Sequence, residues 1–308
     1  MKKKNLFGTI ASIGTGAVMA TGYALFNYIQ HRDSKALKGN PPKFPADNPV
    51  VIGQKKFAVL PHEKYTIESY DHLKLSGFLT RNRVNKGTVI IVHGFGVDHH
   101  SLDKIGYLFN RIGYNVLQPD NRAAGDSEGK YLTYGFDEKR DVLSWVDFVK
   151  KDSALNKNIV LYGASMGAAT VLQFLQLKVP SEVKGVIADS SYSNTTDESN
   201  YVTKKQLKIP AKPLVGLVSM WSKIVCGFSY KEASPIDCVG GKHVPILFIR
   251  GLADKTVPPE MSQDLFDAAT QPKYLATFPK GAHIRSLESD PKRYNQVINE
   301  FLDKLKEN

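Results

Sequence analysis

Residues 159–167 read Ile-Val-Leu-Tyr-Gly-Ala-Ser-Met-Gly, a short apolar run followed by a serine between two glycines. The run is typical of a strand buried on both faces, and the apolar residues after Gly167 predict a helix. A serine on such a sharp strand-to-helix turn projects its hydroxyl above the sheet edge, while the glycines let neighbouring backbone approach. The stretch therefore predicts a nucleophile at Ser165.

Segments with strand and helix patterns alternate along the chain from about residue 64 onwards. Apolar runs predict an antiparallel opening pair at 65–69 and 73–79, and then strands at 88–92, 115–118, 158–162, 185–188, 245–249 and 274–278. Helical patterns lie between these strands, at about 101–111, 137–150, 166–177, 260–269 and 294–306. This alternation predicts the α/β class, with a doubly wound, mostly parallel sheet covered by helices on both faces.

The alternation stops between about residues 191 and 243, where helical signals occur without a strand. Residues 214–228 are apolar on nearly all sides, so a helix there must be covered by something. We expect a helical cap over the site, and the alternative is a helix packed on the body of the domain. Trp221 and Met220 in this helix suit an acyl or aromatic substrate group, although core packing explains them equally well.

The N-terminus has the pattern of a membrane anchor. Lys2, Lys3 and Lys4 precede residues 6–29, which carry no charge and would form ~36 Å of helix, enough to cross a ~30 Å hydrocarbon core. The lysines favour a cytoplasmic N-terminus, which places the rest of the chain outside. We predict an N-terminal membrane helix or signal segment at 1–30, a Pro-containing tether at 31–60 and one domain at 61–308.

A cleaved signal peptide has the same layout, and Val18-Met19-Ala20 is an acceptable cleavage site, which would make the protein secreted. Small residues also recur at every fourth position of the segment, at Gly8, Ser12, Gly16, Ala20 and Ala24. They could let two anchors associate weakly, or they could reflect only a segment rich in small residues. The oligomeric state stays open.

Composition and charge exclude several classes of protein. The formal net charge is +11, which suits anionic surroundings, but no recognition motif accompanies the lysines, so we expect no nucleic-acid partner. Cys226 and Cys238 are too few for a disulfide framework or a Cys-rich zinc site, and they are either free thiols or one bridge. We therefore expect no metal.

A serine hydroxyl needs a base to take its proton, and the chain has eight histidines. His283 follows the last predicted strand, and loops after parallel strands meet at one edge of a doubly wound sheet. The imidazole in turn needs a carboxylate. Asp254 follows the strand at 245–249 and is favoured, while Asp189 after the preceding strand is its rival.

Backbone donors for a developing oxyanion are expected in two loops. Phe95, in His93-Gly94-Phe95-Gly96, follows the strand at 88–92, and the glycines can bend its N–H inward. Met166 would supply the second N–H at the start of its helix. We interpret His93 as an orienting residue rather than a base, and residues 120–129 as a loop packed by an Arg and Asp network.

Together these segments resemble the α/β-hydrolase superfamily. Within it, they are similar to bacterial serine hydrolases of the serine aminopeptidase S33 type and to membrane-anchored ABHD13/BEM46-like proteins. The resemblance covers about residues 64–308, in the family's order, and rests on segments 93–96, 120–129, 163–167, 251–258 and 281–283. Where family members often have glycine, this chain has Ala168 and Ala123, which bears on helix packing and loop shape rather than on chemistry.

The resemblance implies an α/β-hydrolase fold with Ser165 as nucleophile, Asp254 as acid, His283 as base, and Phe95 and Met166 as the oxyanion-hole amides. We expect an exported, membrane-tethered serine esterase that cleaves a small or medium acyl ester through an acyl-enzyme, without a cofactor. One alternative is a peptidase of the same fold. Another is a surface binding protein that keeps the fold without catalysis.

Overall fold

A single mixed sheet forms the centre of the protein. In the computed structural model, which describes residues 3–33, 44–208, 211–241 and 244–307, the sheet has eight strands. They are β1 (Glu63–Glu68), β2 (Lys74–Thr80), β3 (Thr88–Val92), β4 (Asn115–Pro119), β5 (Ile159–Ala164), β6 (Val183–Asp189), β7 (Ile246–Gly251) and β8 (Lys273–Phe278).

The strands lie in the order β1-β2-β4-β3-β5-β6-β7-β8. β2 pairs antiparallel with β1 and with β4, and all the other neighbouring strands pair in parallel. The prediction of a mostly parallel sheet with an antiparallel opening pair is confirmed. Because β3 lies between β4 and β5, the chain leaves it on one side and returns on the other, and such a switch point is where α/β sheets place their sites.

Helices cover both faces of the sheet. They are α1 (Lys3–Gln30), α2 (Pro49–Ala58), α3 (Asp103–Arg111), α4 (Glu138–Lys151), α5 (Met166–Phe174), α6 (Thr195–Val202), α7 (Ala211–Cys226), α8 (Pro259–Ala268), α9 (Ser286–Ser289) and α10 (Pro291–Lys304). The side chains of β3 alternate between two cores: Ile90 and Val92 pack with α4 and α5, and Val89 and Ile91 pack with α3 and α10. This burial on both faces explains the continuous apolar run of the strand.

The predicted tether differs from the structure in its second half. The expectation covers residues 31–60, of which 34–43 lie outside the described residues, but Pro49–Ala58 forms α2. Val50 and Phe57 are buried on one face of this helix, and the fully buried ring of Phe57 packs over Gly106 of α3. Because these apolar residues lie on one face of the helix, the segment packs into the core instead of forming an extended tether.

The helix at the N-terminus, α1, ends at Gln30, and its second half packs on the domain. Phe26 is fully buried, Gly22 contacts Leu217 of α7, and the indole N–H of Trp221 donates to Met19 O at 3.0 Å. Across residues 3–33, 44–208, 211–241 and 244–307, no helix is both long and apolar enough to cross a membrane. Anchoring and self-association through α1 stay predictions.

Two helices occupy the segment where the cap is predicted. α6 continues into a π-helical turn at Thr203–Leu207, and α7 follows it. α1 covers one side of α7, and Phe228 and Tyr230 pack below it. Cys226, at the end of α7, and Cys238 are free thiols, so the alternative of one bridge is not realised.

Candidate active site

The turn between β5 and α5 is strained at the candidate nucleophile. Ser165 has φ 55° and ψ −120°, and its N–H donates to Asp189 O at 2.9 Å. A side chain at Gly167 would place Cβ 2.0 Å from Val92 O, and one at Gly163 would place it 2.1 Å from Gly167 O. Only glycine fits at both positions. The backbone conformation of Ser165 itself costs ~1–3 kcal/mol.

Three side chains from distant loops form one hydrogen-bonded series. His283 Nε2 lies 2.9 Å from Ser165 Oγ, and His283 Nδ1 lies 2.8 Å from Asp254 Oδ2. An ionised carboxylate only accepts hydrogen bonds, so Nδ1 carries the proton and Nε2 turns its lone pair towards the serine hydroxyl. The series can therefore take the proton from Ser165.

The loops that carry Asp254 and His283 are held against each other. Asp254 Oδ1 accepts the N–H groups of Thr256 at 2.8 Å and Val257 at 3.0 Å, which orients the carboxylate. Gly251, at the end of β7, approaches the loop after β8 so closely that a Cβ would lie 2.1 Å from Gly281 O. This close approach sets the position of the acid relative to the base.

The rival carboxylate has a different environment. Asp189 is buried between β5, β6 and α10 and accepts three hydroxyl groups, those of Tyr162 at 3.0 Å, Tyr294 at 2.8 Å and Ser190 at 2.9 Å. Burial raises the pKa of Asp189 although the hydroxyl groups oppose that shift. The structure thus brings Asp254, and not Asp189, to the imidazole of His283.

Met166 and Phe95 lie where the oxyanion donors are expected. Met166 is the first residue of α5, and the N–H groups of a first helical turn have no partner within the helix. Phe95 follows β3, and both residues line the same cavity as Ser165. Both residues therefore lie beside the candidate nucleophile.

The side chain of His93 connects two loops through hydrogen bonds. Its buried Nε2 accepts the N–H of Asn121 at 2.9 Å, and its Nδ1 lies 2.8 Å from Gly94 O. Burial lowers the pKa of this imidazole, so the ring is neutral with its proton on Nδ1. His93 joins the loops after β3 and β4 and lies outside the series that ends at Ser165.

Residues 120–129 form a packed loop of ion pairs. The guanidinium of Arg122 donates to both carboxylate oxygens of Asp141 at 2.7 Å and to Asp71 at 2.9 and 3.1 Å. Ala123 is buried with a left-handed φ of 58°, a conformation that favours glycine. The ion pairs of Arg122 join this loop to α4 and to the turn between β1 and β2.

A mostly apolar cavity of about 260 Å³ opens beside Ser165. Aromatic and aliphatic side chains from α1, from the cap and from two loops surround it, among them Leu25, Ile29, Tyr134, Tyr192, Val215 and Val218. α7 therefore covers the site, as a cap would. The sequence did not indicate that Leu25, Ile29, Tyr134 and Tyr192 line the cavity. Only Tyr192 could have been found, because it lies just after the carboxyl end of β6.

One carboxyl group also faces this cavity. Glu198 of α6 lines it, and among the described residues its Oε2 is buried without a hydrogen-bond partner. Burial, reinforced by the charge of Asp254, raises the pKa of Glu198 to about 8. The side chain is thus neutral at pH 7. In the same described part of the chain, no group of three or more His, Cys, Asp or Glu residues could hold a metal ion.

Comparisons with known proteins agree with the fold. The family described as "alpha/beta hydrolase fold" matches residues 87–212. The chain is 27% identical to the uncharacterized protein YqkD of Bacillus subtilis, over 82% of each chain, and 24% identical to protein bem46 of Schizosaccharomyces pombe, over 85% of this chain and 83% of that one.

A similar solved structure is the esterase Pf2001 of Pyrococcus furiosus, with a TM-score of 0.67 and 25% identity over 86% of this chain and 97% of that one. The family match spans β3 to the cap and includes the turn at Ser165. The sheet order, the family match and the relatives together show an α/β-hydrolase fold, and the resemblance to that superfamily holds.

Proposed function

We propose that the chain is a serine esterase that hydrolyses a small or medium acyl ester through an acyl-enzyme. The observation that carries the proposal is the hydrogen-bonded series from Ser165 through His283 to Asp254, which lies beside a mostly apolar cavity. The similarity to an esterase of known structure supports the same reaction class.

In the first half-reaction, Ser165 Oγ bonds to the carbonyl carbon of the ester while its proton passes to Nε2 of His283. The carboxylate of Asp254 stabilises the resulting imidazolium. The bond between the carbonyl carbon and the alcohol oxygen then breaks, and the alcohol leaves with the proton from Nε2. An acyl group remains on Ser165.

In the second half-reaction, water attacks the acyl carbon as His283 takes a proton from it, and that proton then returns to Ser165 as the acid leaves. The N–H groups of Phe95 and Met166 would bind the oxyanion of each tetrahedral intermediate. Loss of one such donor typically raises the barrier by ~2.7–4 kcal/mol. The backbone geometry at these two residues therefore matters as much as the three side chains.

The size of the cavity favours a modest substrate. Its volume of about 260 Å³ lies just below the ~300 Å³ at which pockets for drug-sized ligands begin. Apolar walls suit an uncharged acyl group better than a charged substrate group, because burial of an unpaired charge is costly. Acyl groups of small to medium length are the proposed substrates.

A fluorophosphonate probe tests the nucleophile, and p-nitrophenyl acetate, butyrate and octanoate test the reaction. We expect the wild-type protein to be labelled at Ser165 and to release p-nitrophenol from these esters, and we expect Ser165→Ala to do neither. Labelling that persists in Ser165→Ala would refute the assignment. Folded wild-type protein that is not labelled would favour a binding protein that keeps the fold.

Glu198 favours a second candidate, a peptidase that acts on a free amino terminus. An ammonium group in the cavity would lower the pKa of this carboxyl and pair with its charged form. Amino-acid p-nitroanilides separate the two reactions. A peptidase would hydrolyse these anilides and would lose that activity, but not its ester hydrolysis, in Glu198→Gln. The proposed esterase would hydrolyse the esters alone.

We also propose that the protein is attached to the cell membrane through its N-terminal segment, with the domain outside the cytoplasm. The support is the run of three lysines before the uncharged residues 6–18, which precede the part of α1 that packs on the domain. Alkaline extraction of membranes and protease digestion of intact cells test the proposal. Release by alkali, or protection from external protease, would contradict it.

A further inference from the structure

The N-terminal helix α1 forms one wall of the cavity beside Ser165. Leu25 and Ile29 are one helical turn apart and therefore share a face, and both line the cavity. Val215 and Val218 of α7 line it from the cap. An acyl group on Ser165 would have these aliphatic side chains available as its surroundings.

The wall is held in place from inside the domain. Phe26 is fully buried, and its ring centre lies 4.9 Å from that of Tyr131. The hydroxyl of Tyr131 donates to Asn27 Oδ1 at 3.0 Å, and the Trp221 indole donates to Met19 O at 3.0 Å. Apolar packing and hydrogen bonds together fasten α1 to the loop after β4 and to the cap.

The end of the helix is tied even more closely. The Gln30 amide donates to Leu132 O at 2.8 Å, and the Leu132 N–H donates back to Gln30 O at 2.9 Å. The Arg32 guanidinium donates to three carbonyl groups of the same loop, those of Gly125, Ser127 and Gly129, each at 3.2 Å. These bonds hold the helix in one register against the cavity.

Packing alone does not account for the cavity-facing positions. Phe26 has no exposed surface, as expected of a residue that only stabilises the fold, but Leu25 and Ile29 are half-buried and face the open space. Half-buried aliphatic side chains around a cavity have free surface that a ligand can cover. An apolar ligand would therefore gain contacts with α1.

We propose that α1 is the specificity element of the enzyme and that the acyl chain of the substrate lies between α1 and α7. The inference rests on the proposed esterase function and deepens it. It identifies the substrate class as esters of medium-length aliphatic acids, whose chain length is limited by Leu25 and Ile29. An N-terminal segment that looks like a mere attachment device would then select the substrate.

The test compares Leu25→Trp, which fills the cavity, with Ala24→Trp, which adds the same side chain at the exposed neighbouring position. The readout is the ratio of kcat/KM for p-nitrophenyl octanoate to that for the acetate. We expect this ratio to fall at least ~10-fold in Leu25→Trp, because lost apolar contacts of this size are worth that much discrimination. In Ala24→Trp it should stay within about twofold of wild type, as for a surface change.

Leu25→Ala enlarges the cavity at the same wall, so it should shift the preference towards esters of longer acids. This variant also serves as the test if Leu25→Trp does not fold. An unchanged ratio in both Leu25 variants, with fluorophosphonate labelling intact, would overturn the role of α1 and leave the esterase proposal standing. Wild-type protein that is neither labelled nor active on any ester would instead overturn the esterase proposal, and the inference with it.

Discussion

The carboxylate of Asp254 lies 2.8 Å from Nδ1 of His283. The other oxygen of the same carboxylate accepts two backbone N–H groups in its own loop, so the group cannot turn away without losing them. The imidazole is thus held in one tautomer with Nε2 towards Ser165. This relationship distinguishes the two carboxylates that follow neighbouring strands, and it leads to the first prediction.

Asp254→Asn should lower kcat for ester hydrolysis by ~10⁴-fold without unfolding the protein. An amide at this position can favour the wrong tautomer of His283, which leaves Nε2 unable to accept the proton of Ser165. Steady-state kinetics and thermal denaturation measure the two effects separately. Asp189→Asn is the matched control.

Asp189→Asn should lower the free energy of unfolding by ~1–3 kcal/mol, because it disturbs the buried acceptor of three hydroxyl groups. Its kcat should fall far less than that of Asp254→Asn. A loss of kcat equal to that of Asp254→Asn in a stably folded Asp189→Asn protein would show that the wrong carboxylate has been assigned.

Replacement of Ser165 separates chemistry from backbone strain. Ser165→Ala and Ser165→Gly should both lose fluorophosphonate labelling, but Ser165→Gly should be the more stable by ~1 kcal/mol. Glycine adopts the positive φ of this turn at no steric cost, whereas alanine keeps the strain. Urea denaturation measures the difference, and a glycine variant less stable than the alanine variant would be inconsistent with a strained turn.

Glu198 should make substrate binding depend on pH. Burial raises its pKa to about 8, so the carboxyl is neutral at pH 7 and becomes charged as the pH rises through 8. A charge in an apolar cavity disfavours a neutral ester, and we therefore expect KM to increase between pH 7 and pH 9 in wild type. Glu198→Gln should show a flatter KM profile over the same range.

Glu232→Gln is the control, because hydrogen bonds from Ser229 and Lys223 lower the pKa of Glu232 to about 2 and keep it charged throughout this range. Its KM profile should match that of wild type.

The folded pKa of Glu198 lies above the ordinary value of 4.5, so its contribution to stability is present below pH 4.5 and is lost as pH rises through 8. Glu198→Gln should consequently gain stability relative to wild type as pH increases.

Arg122→Gln should lower the free energy of unfolding by ~3–5 kcal/mol, since it leaves the buried carboxylate of Asp141 without its paired cation. Arg81→Gln removes a more exposed pair with Glu63 and Asp152 and should cost no more than ~1 kcal/mol. Urea denaturation of both variants makes the comparison. Equal losses would mean that the loop network does not hold the fold.

Local patterns carried most of the information about the sheet. The apolar runs of β3 and β5 are buried on both faces, and Gly163 is required because a Cβ there would lie 2.1 Å from Gly167 O. Such features act within a few residues, so periodicity and turn chemistry reveal them. The convergence of loops after β5, β7 and β8 follows from the parallel pairing.

The N-terminal region shows where local patterns do not suffice. An uncharged helix suits lipid and an apolar protein surface equally well, so residues 6–29 could not reveal that Phe26 would be buried beneath Tyr131 and α7. The same holds for residues 49–58. Their apolar face is too short to predict a helix from the sequence, and it packs on α3 in the structure. Short helices gain most of their stability from such packing.

By itself the sequence determined the succession of strands and helices, the strained turn at Ser165 and the small set of residues able to complete its chemistry, because these depend on neighbours along the chain. Only the tertiary structure decided that Asp254 rather than Asp189 faces His283, that Glu198 enters the cavity and that α1 lines it. Those outcomes depend on distances between segments far apart in the chain, and these distances are set by how the loops close over the sheet edge.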